Sequence, residues 1–195
     1  MSNYYGGSEV LFSYAQASSA SVPTASAVTM CNGWPAITLP AGYFQRLGDQ
    51  TSTAKLLLEG TLTATATVPT FAFGLAMTQA NPAAFSAATL LHAISATVTP
   101  TAGTAYQFWA DWDISLRTLG APGANSTLVT QGRIRCPNGF GTAPNELTMP
   151  QSNGTKTLAT VDPQQVIYLW PYITLGAATA GNTVTADMCK LYGEN

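Results

Sequence analysis

Asp111 and Asp113 stand two residues apart in the run AYQFWADWDISLRTLG, and Trp109 stands two before the first of them. On a strand, residues with that spacing project side by side from one face. A pair of carboxylates so placed could chelate calcium, or divide the acid and nucleophile roles of glycoside hydrolysis. Arg117 shares the face, so the plainer reading is favoured: the charges solvate or pair. Trp109 points the same way, opposite to Trp112. An outward tryptophan suits an interface or a sugar-binding site, although a loop or the N-terminal arm could equally cover it.

Other chemistry lacks its residues. His92 is the only histidine, and it sits in the apolar run LLHAIS, where a structural role is expected. A Ser-His-Asp triad would need it, and no GxSxG elbow exists. Cys31, Cys136 and Cys189 lie far apart with no CxxC pair. Their odd number argues against a disulfide framework, and zinc would need more ligands at closer spacing. Reduced, buried thiols are predicted. Gly139 to Gly141 lacks the Lys-Ser/Thr and helix of a phosphate loop. Asn125-Ser126-Thr127 and Asn153-Gly154-Thr155 match the glycosylation pattern. The N-terminal MSNYYGGSEVLFSYAQ has no basic region followed by an apolar core, so both triplets read as turns. The expectation is a non-enzymatic protein with no cofactor and no metal.

Composition narrows the partners. Of 195 residues only 8% are charged, against about 25% in an ordinary globular protein. The net charge is −2 with no basic patch, which argues against nucleic acid. Hydrophobic residues make up 46%, but no run approaches the ~20 apolar residues of a membrane span.

The elements that must carry these residues read as strands. In EGTLTATATVPTFAFGLAMT, Leu58, Leu62, Ala64, Ala66 and Val68 share one face of a strand over 55–68. Glu59, Thr61, Thr63, Thr65 and Thr67 share the other. β-Branched threonine favours such a pleated, half-buried surface. After Pro69, Phe71, Phe73, Leu75 and Met77 repeat the pattern to Thr78. Residues 80–89 read as a loop or short helical turn. Further strands are predicted over 36–39, 90–98, 105–120, 126–136, 156–161, 165–176 and 182–191. The stretch PNGFGTAPNELTMPQSNG reads as a surface loop. Trp34, Tyr43 and Phe44 read as packing at the edge of the core. Eight or nine strands with turn signals between them predict an all-β fold. It is an antiparallel β-sandwich, jelly-roll-like, with an extended N-terminal arm. Residues 1–33 form the arm or a lead-in strand and 34–195 the single sandwich domain. Tyr4, Tyr5, Leu11, Phe12 and Tyr14 give the arm apolar groups to dock on a neighbour or on its own domain. With Trp109, Asp111, Asp113 and Arg117 they are the candidate interface residues. Long strands with few charges need their edges covered, and low charge weakens repulsion between copies. Both suit a subunit packed in a symmetric assembly.

The runs FWADWDISLRTLGAPGANSTLVTQGRI and YITLGAATAGNTVTADMCKLYG, with PAGYFQRLG, carry a resemblance. They resemble virion structural proteins of tailed bacteriophages, notably of actinobacterial hosts. There a strand resembling WxxDxxIxxRSLG precedes a small-residue turn and an STVxxQG strand, and the closing strand resembles AxxGNTVTxxxxxLE. The resemblance spans about residues 34–192, and the N-terminal arm departs from it. It implies a capsid decoration protein on the exterior of the particle, assembled in the host cytoplasm. The implied partners are the major capsid protein and other copies of the chain, a trimer being favoured. A minor tail or fibre protein is the alternative. A glycan-binding module built on Trp109, Asp111 and Asp113 is the reading from another class, and a hydrolase ranks last.

Overall fold

A computed structural model describes residues 8–21, 28–45, 53–65, 70–80, 92–123, 126–141, 145–149, 158–175 and 181–194. The strands are β1 (Ser8–Tyr14), β2 (Ser18–Ser21), β3 (Val28–Thr29), β4 (Ile37–Leu39), β5 (Thr53–Thr63), β6 (Phe71–Thr78) and β7 (His92–Val98). They continue with β8 (Ala105–Thr118), β9 (Ser126–Arg135), β10 (Glu146–Met149), β11 (Leu158–Val161), β12 (Ile167–Leu175) and β13 (Thr183–Glu194). The larger sheet has the order β1-β13-β5-β8-β9-β10, with β2 also on β13 and β11 also on β9. The smaller sheet has the order β3-β12-β6-β7, with β4 also on β12. The expected antiparallel β-sandwich is the fold.

Its jelly-roll character lies in three chain segments that each cross between the sheets. Residues 53–78 supply β5 to the larger sheet and β6 to the smaller. They pair with 92–118 on one side, β5 with β8 and β6 with β7. On the other side they pair with 167–194, β5 with β13 and β6 with β12.

Alternation fixes what lies between the sheets. Along β8, Tyr106, Phe108, Ala110, Trp112, Ile114 and Leu116 are buried, while the residues between them are exposed or half-buried. Leu56, Leu58 and Leu62 of β5 and Phe71, Phe73, Leu75 and Met77 of β6 close on them. Phe73 meets Phe108 edge-on at 5.1 Å between ring centres, a geometry favoured by the ring quadrupoles. Ala66 and Val68, predicted for the same face, lie outside the described residues.

Two glycines make room for these rings. Gly132 sits directly opposite Trp112 in the β8–β9 register, and a Cβ there would come within 2.5 Å of the indole. Gly60 faces Phe108 in the same way, and its Cβ would lie 2.4 Å from the carbonyl oxygen of Thr185. That oxygen belongs to the paired strand β13 and cannot rotate away. Gly60→Ala is therefore expected to destabilise the fold by about 1–3 kcal/mol, read as a lowered Tm in thermal unfolding. An unchanged Tm would contradict this packing.

Pro171 interrupts β12, an interior strand, although proline is normally confined to sheet edges. Its carbonyl accepts the Met30 amide at 2.9 Å, so its missing N–H also faces the β3/β4 side. There β4 pairs with residues 167–169 and β3 with 172–173. The proline falls in the gap between them, where no ladder bond is lost.

One expectation is corrected. The stretch after Cys136 is not purely a surface loop. Phe140 is fully buried between Phe73 and Tyr106, and Glu146–Met149 form β10 on β9. Met149 joins the core. A short strand between turn-rich residues gives too few positions for its alternation to show. The N-terminal region pairs within its own chain, β1 and β2 both adding to β13. Leu11 and Phe12 pack against the core, and Tyr14 lies 5.0 Å from the ring of Trp34.

Candidate functional site

The larger sheet collects the charges. Among the described residues, every Asp, Glu, Lys and Arg except Asp162 stands on a strand of that sheet. The strands of the smaller sheet carry none.

Register arranges the outer side chains in rows. Glu59 on β5 lies opposite Trp109 on β8, Trp109 opposite Arg135 on β9, and Arg135 opposite Glu146 on β10. The next row runs Leu57, Asp111, Arg133, Thr148. Opposed residues on one face bring their Cβ atoms to about 5 Å, so each row is a line of touching side chains. Along the first row opens a groove of about 470 Å³, lined by Leu57, Leu58, Glu59, Trp109, Ala110, Asp111, Arg135, Cys136, Pro137, Asn145 and Glu146.

Trp109 is 40% exposed and is the one aromatic residue that lines this groove. The turn Cys136–Gly139 forms one end. Pro137 sets its first corner, the Gly139 amide donates to the Cys136 carbonyl at 2.9 Å, and Gly139 takes φ 69°, which suits glycine. The Asn145 side-chain amide donates to the Pro137 carbonyl at 3.2 Å, and the Cys136 amide donates to the Asn145 carbonyl. These bonds tie Asn145, a lining residue of the groove, to the turn.

The carboxylates are not the free pair that their spacing allowed. Arg133 Nε donates to both oxygens of Asp111, at 2.7 and 2.8 Å. That bond raises the guanidinium pKa above its ordinary value, against a smaller opposing effect of burial. Asp113 pairs with Lys55 at 3.8 Å. Arg117, expected beside them, is exposed near the end of β8 and is not their partner. The partners come from neighbouring strands because cross-strand atoms lie closer than same-strand residues four or six positions away. Arg135 pairs with Glu146 at 2.5 Å. Glu59 makes no ion pair or hydrogen bond to any described residue. Among the described residues no group of three His, Cys, Asp or Glu side chains is placed to hold a metal ion.

Thus Trp109 and Asp111 come together in the groove, and Asp113 lies one row away. Tyr4 and Tyr5 fall outside the described residues, as does the His92 side chain. Glu59, Arg135, Asn145 and Glu146 were not singled out from sequence. Glu59 alone had a visible signal, being the single charge in a threonine-alanine ladder.

The thiols stay out of this chemistry. All three cysteines are free and buried. The Cys31 thiol is hydrogen-bonded to that of Cys189, and this contact and then burial push its pKa well above the ordinary value. Burial likewise pushes up Cys136, against a smaller lowering by the Asn138 backbone. A raised folded-state pKa means that the unfolded chain releases protons first, so stability contributed by these thiols falls as pH rises above about 8.5. The thiolate is the reactive form. Native protein at pH 8 should therefore react slowly with an aromatic disulfide reagent, and rapidly once denatured. A fast native reaction would contradict the burial.

No protein family and no curated protein matches the sequence. Among solved structures, a peanut lectin with a 9mer peptide is 9% identical with TM-score 0.39, covering 97% of this chain and 98% of that one. Lectin UEA-II complexed with galactose is 12% identical with TM-score 0.38, covering 96% and 100%. Lectin I from Ulex europaeus, in complex with the methyl glycoside of α-L-fucose, is 10% identical with TM-score 0.33, covering 91% and 98%.

Proposed function

We propose that the chain is a non-catalytic glycan-binding module whose site is the groove over Trp109. The observation that carries this is the half-exposed indole lining a groove together with Glu59, which has no partner among the described residues, and the turn-held Asn145. The apolar face of a sugar ring stacks on an indole, and its hydroxyls need hydrogen-bond acceptors and donors at the rim. The groove offers both on rigid strands. Its row of four strands spans three inter-strand spacings, about 14 Å, enough for a short oligosaccharide. A printed glycan array probed with the purified chain tests the reading. Binding to a defined set of oligosaccharides is expected, and silence across the array would overturn it.

A second reading is a virion structural protein, on the capsid exterior as a decoration protein or in the tail. The gathering of charge on the larger sheet among the described residues favours it. Such a subunit keeps one face solvated and offers its remaining surface to the major capsid protein or to further copies at little desolvation cost. The groove would then lie on the solvated side of the particle. Quantitative mass spectrometry of purified particles from the source separates the outcomes. A ratio near that of the shell protein supports decoration, a few copies per particle support the tail, and absence rejects both.

A further inference from the structure

We infer that the Trp109 groove selects neutral over acidic sugars, with Glu59 as the specificity-determining residue. The inference rests on the glycan-binding reading above and names the ligand class of that site. Four charged groups line the groove, and three already have partners. Asp111 is held by Arg133 and Arg135 by Glu146, so the two arginines that could greet an anion are occupied. Glu59 is the exception. Its direct cross-strand neighbours are Trp109 on β8 and Met188 on β13, neither of which can neutralise it, and the nearest base by register, Lys190 opposite Leu57, makes no ion pair with it and is not part of the groove lining. Of the residues that line the groove, Glu59 is thus the one charge with no partner among the described residues, and it stands directly beside the indole on which the sugar would stack. A carboxylate or sulfate on that sugar would stand within a few ångströms of Glu59, and screening by salt is weak over such a distance in a half-buried site. A neutral sugar meets the same group as an acceptor for hydroxyl protons, and bonds to a charged acceptor are the stronger kind.

The expected discrimination against an acidic analogue is on the order of tenfold, equivalent to about 1.4 kcal/mol. The test compares wild type and Glu59→Gln on pairs of oligosaccharides that differ only in a carboxylate or sulfate, by array and by titration calorimetry. Wild type should prefer the neutral member about tenfold. Glu59→Gln keeps the shape of the side chain and removes its charge, so the preference should shrink to within about threefold. Equal binding of both members by wild type would overturn the selectivity while leaving the glycan reading intact. An unchanged preference in Glu59→Gln would overturn the role of Glu59. No binding to either member, or to any glycan on the array, would overturn the parent reading and this one with it.

Discussion

Trp112→Ala is expected to lower the unfolding free energy by about 3–5 kcal/mol, the range for deleting a fully buried large aromatic side chain. Trp112 has no exposed surface, and its indole lies over Gly132 in the centre of the larger sheet. The cavity cannot collapse easily, because β8 is paired on both sides around Trp112, with β5 and with β9. Against a typical total of 5–15 kcal/mol, such a loss lowers Tm by roughly 6–20 °C in a chain of this size. One feature moderates it. The Trp112 Nε1 hydrogen has no acceptor among the described residues, and a buried orphan donor costs about 1–3 kcal/mol. Trp112→Phe removes that donor and keeps most of the ring, so it should cost clearly less than the alanine variant. Equal losses in the two variants would mean that ring volume is not what the site requires.

The same strand shows what was legible in the sequence. The alternation that put Tyr106, Phe108, Ala110, Trp112, Ile114 and Leu116 on one face is visible residue by residue, because burial on a strand has period two. It needs only local information, so the faces of β5, β6, β8 and β9 follow from residue order alone. Strand ends could not be read as well. Residues 182–191 predict the last strand, yet β13 runs from Thr183 to Glu194, because pairing with β5 and β1 continues past the apolar pattern. β10 was missed since four residues in a turn-rich stretch carry almost no pattern.

The candidate site divides along the same line. Trp109 and Asp111 share a strand, so their common face follows from spacing alone. Glu59, Arg135 and Glu146 enter through the registers of three separate strand pairs. A shift of one residue in any of these would send a side chain to the opposite face. Register depends on turns and long-range pairing, which no short stretch of sequence encodes. The low overall charge hid a further fact for the same reason. Sixteen charges in 195 residues suggest faces without charge everywhere, whereas among the described residues they gather on one sheet. That the aspartates pair follows from their polar face, but their partners, Arg133 and Lys55, do not, because ion pairs in a sheet form between strands.

Trp109→Ala is expected to weaken glycan binding by at least about thirtyfold, the scale of a binding hot spot worth 2 kcal/mol or more. The same change should cost less than about 1 kcal/mol of stability. Surface substitutions usually stay small, and Trp109 is a partly exposed residue on the outer face, where its removal opens no core cavity. The contrast with Trp112, three residues on and on the opposite face, is the decisive control: one tryptophan holds the fold and the other holds the ligand. Trp109→Phe should keep much of the affinity, because a flat apolar ring remains for the sugar to stack upon, although its area is smaller. Fluorescence provides the direct readout. Saturating glycan should quench part of the emission of the wild-type chain, and the quench should vanish in Trp109→Ala while Trp34, Trp112 and Trp170 still emit. If Trp109→Ala binds as wild type does, the indole is not the platform and the groove is not the site. If it loses affinity and unfolds as readily as Trp112→Ala, the ring is structural and the loss says nothing for a sugar. Loss of affinity with an unchanged Tm is the outcome that only a stacking platform on the solvated face of the sheet predicts.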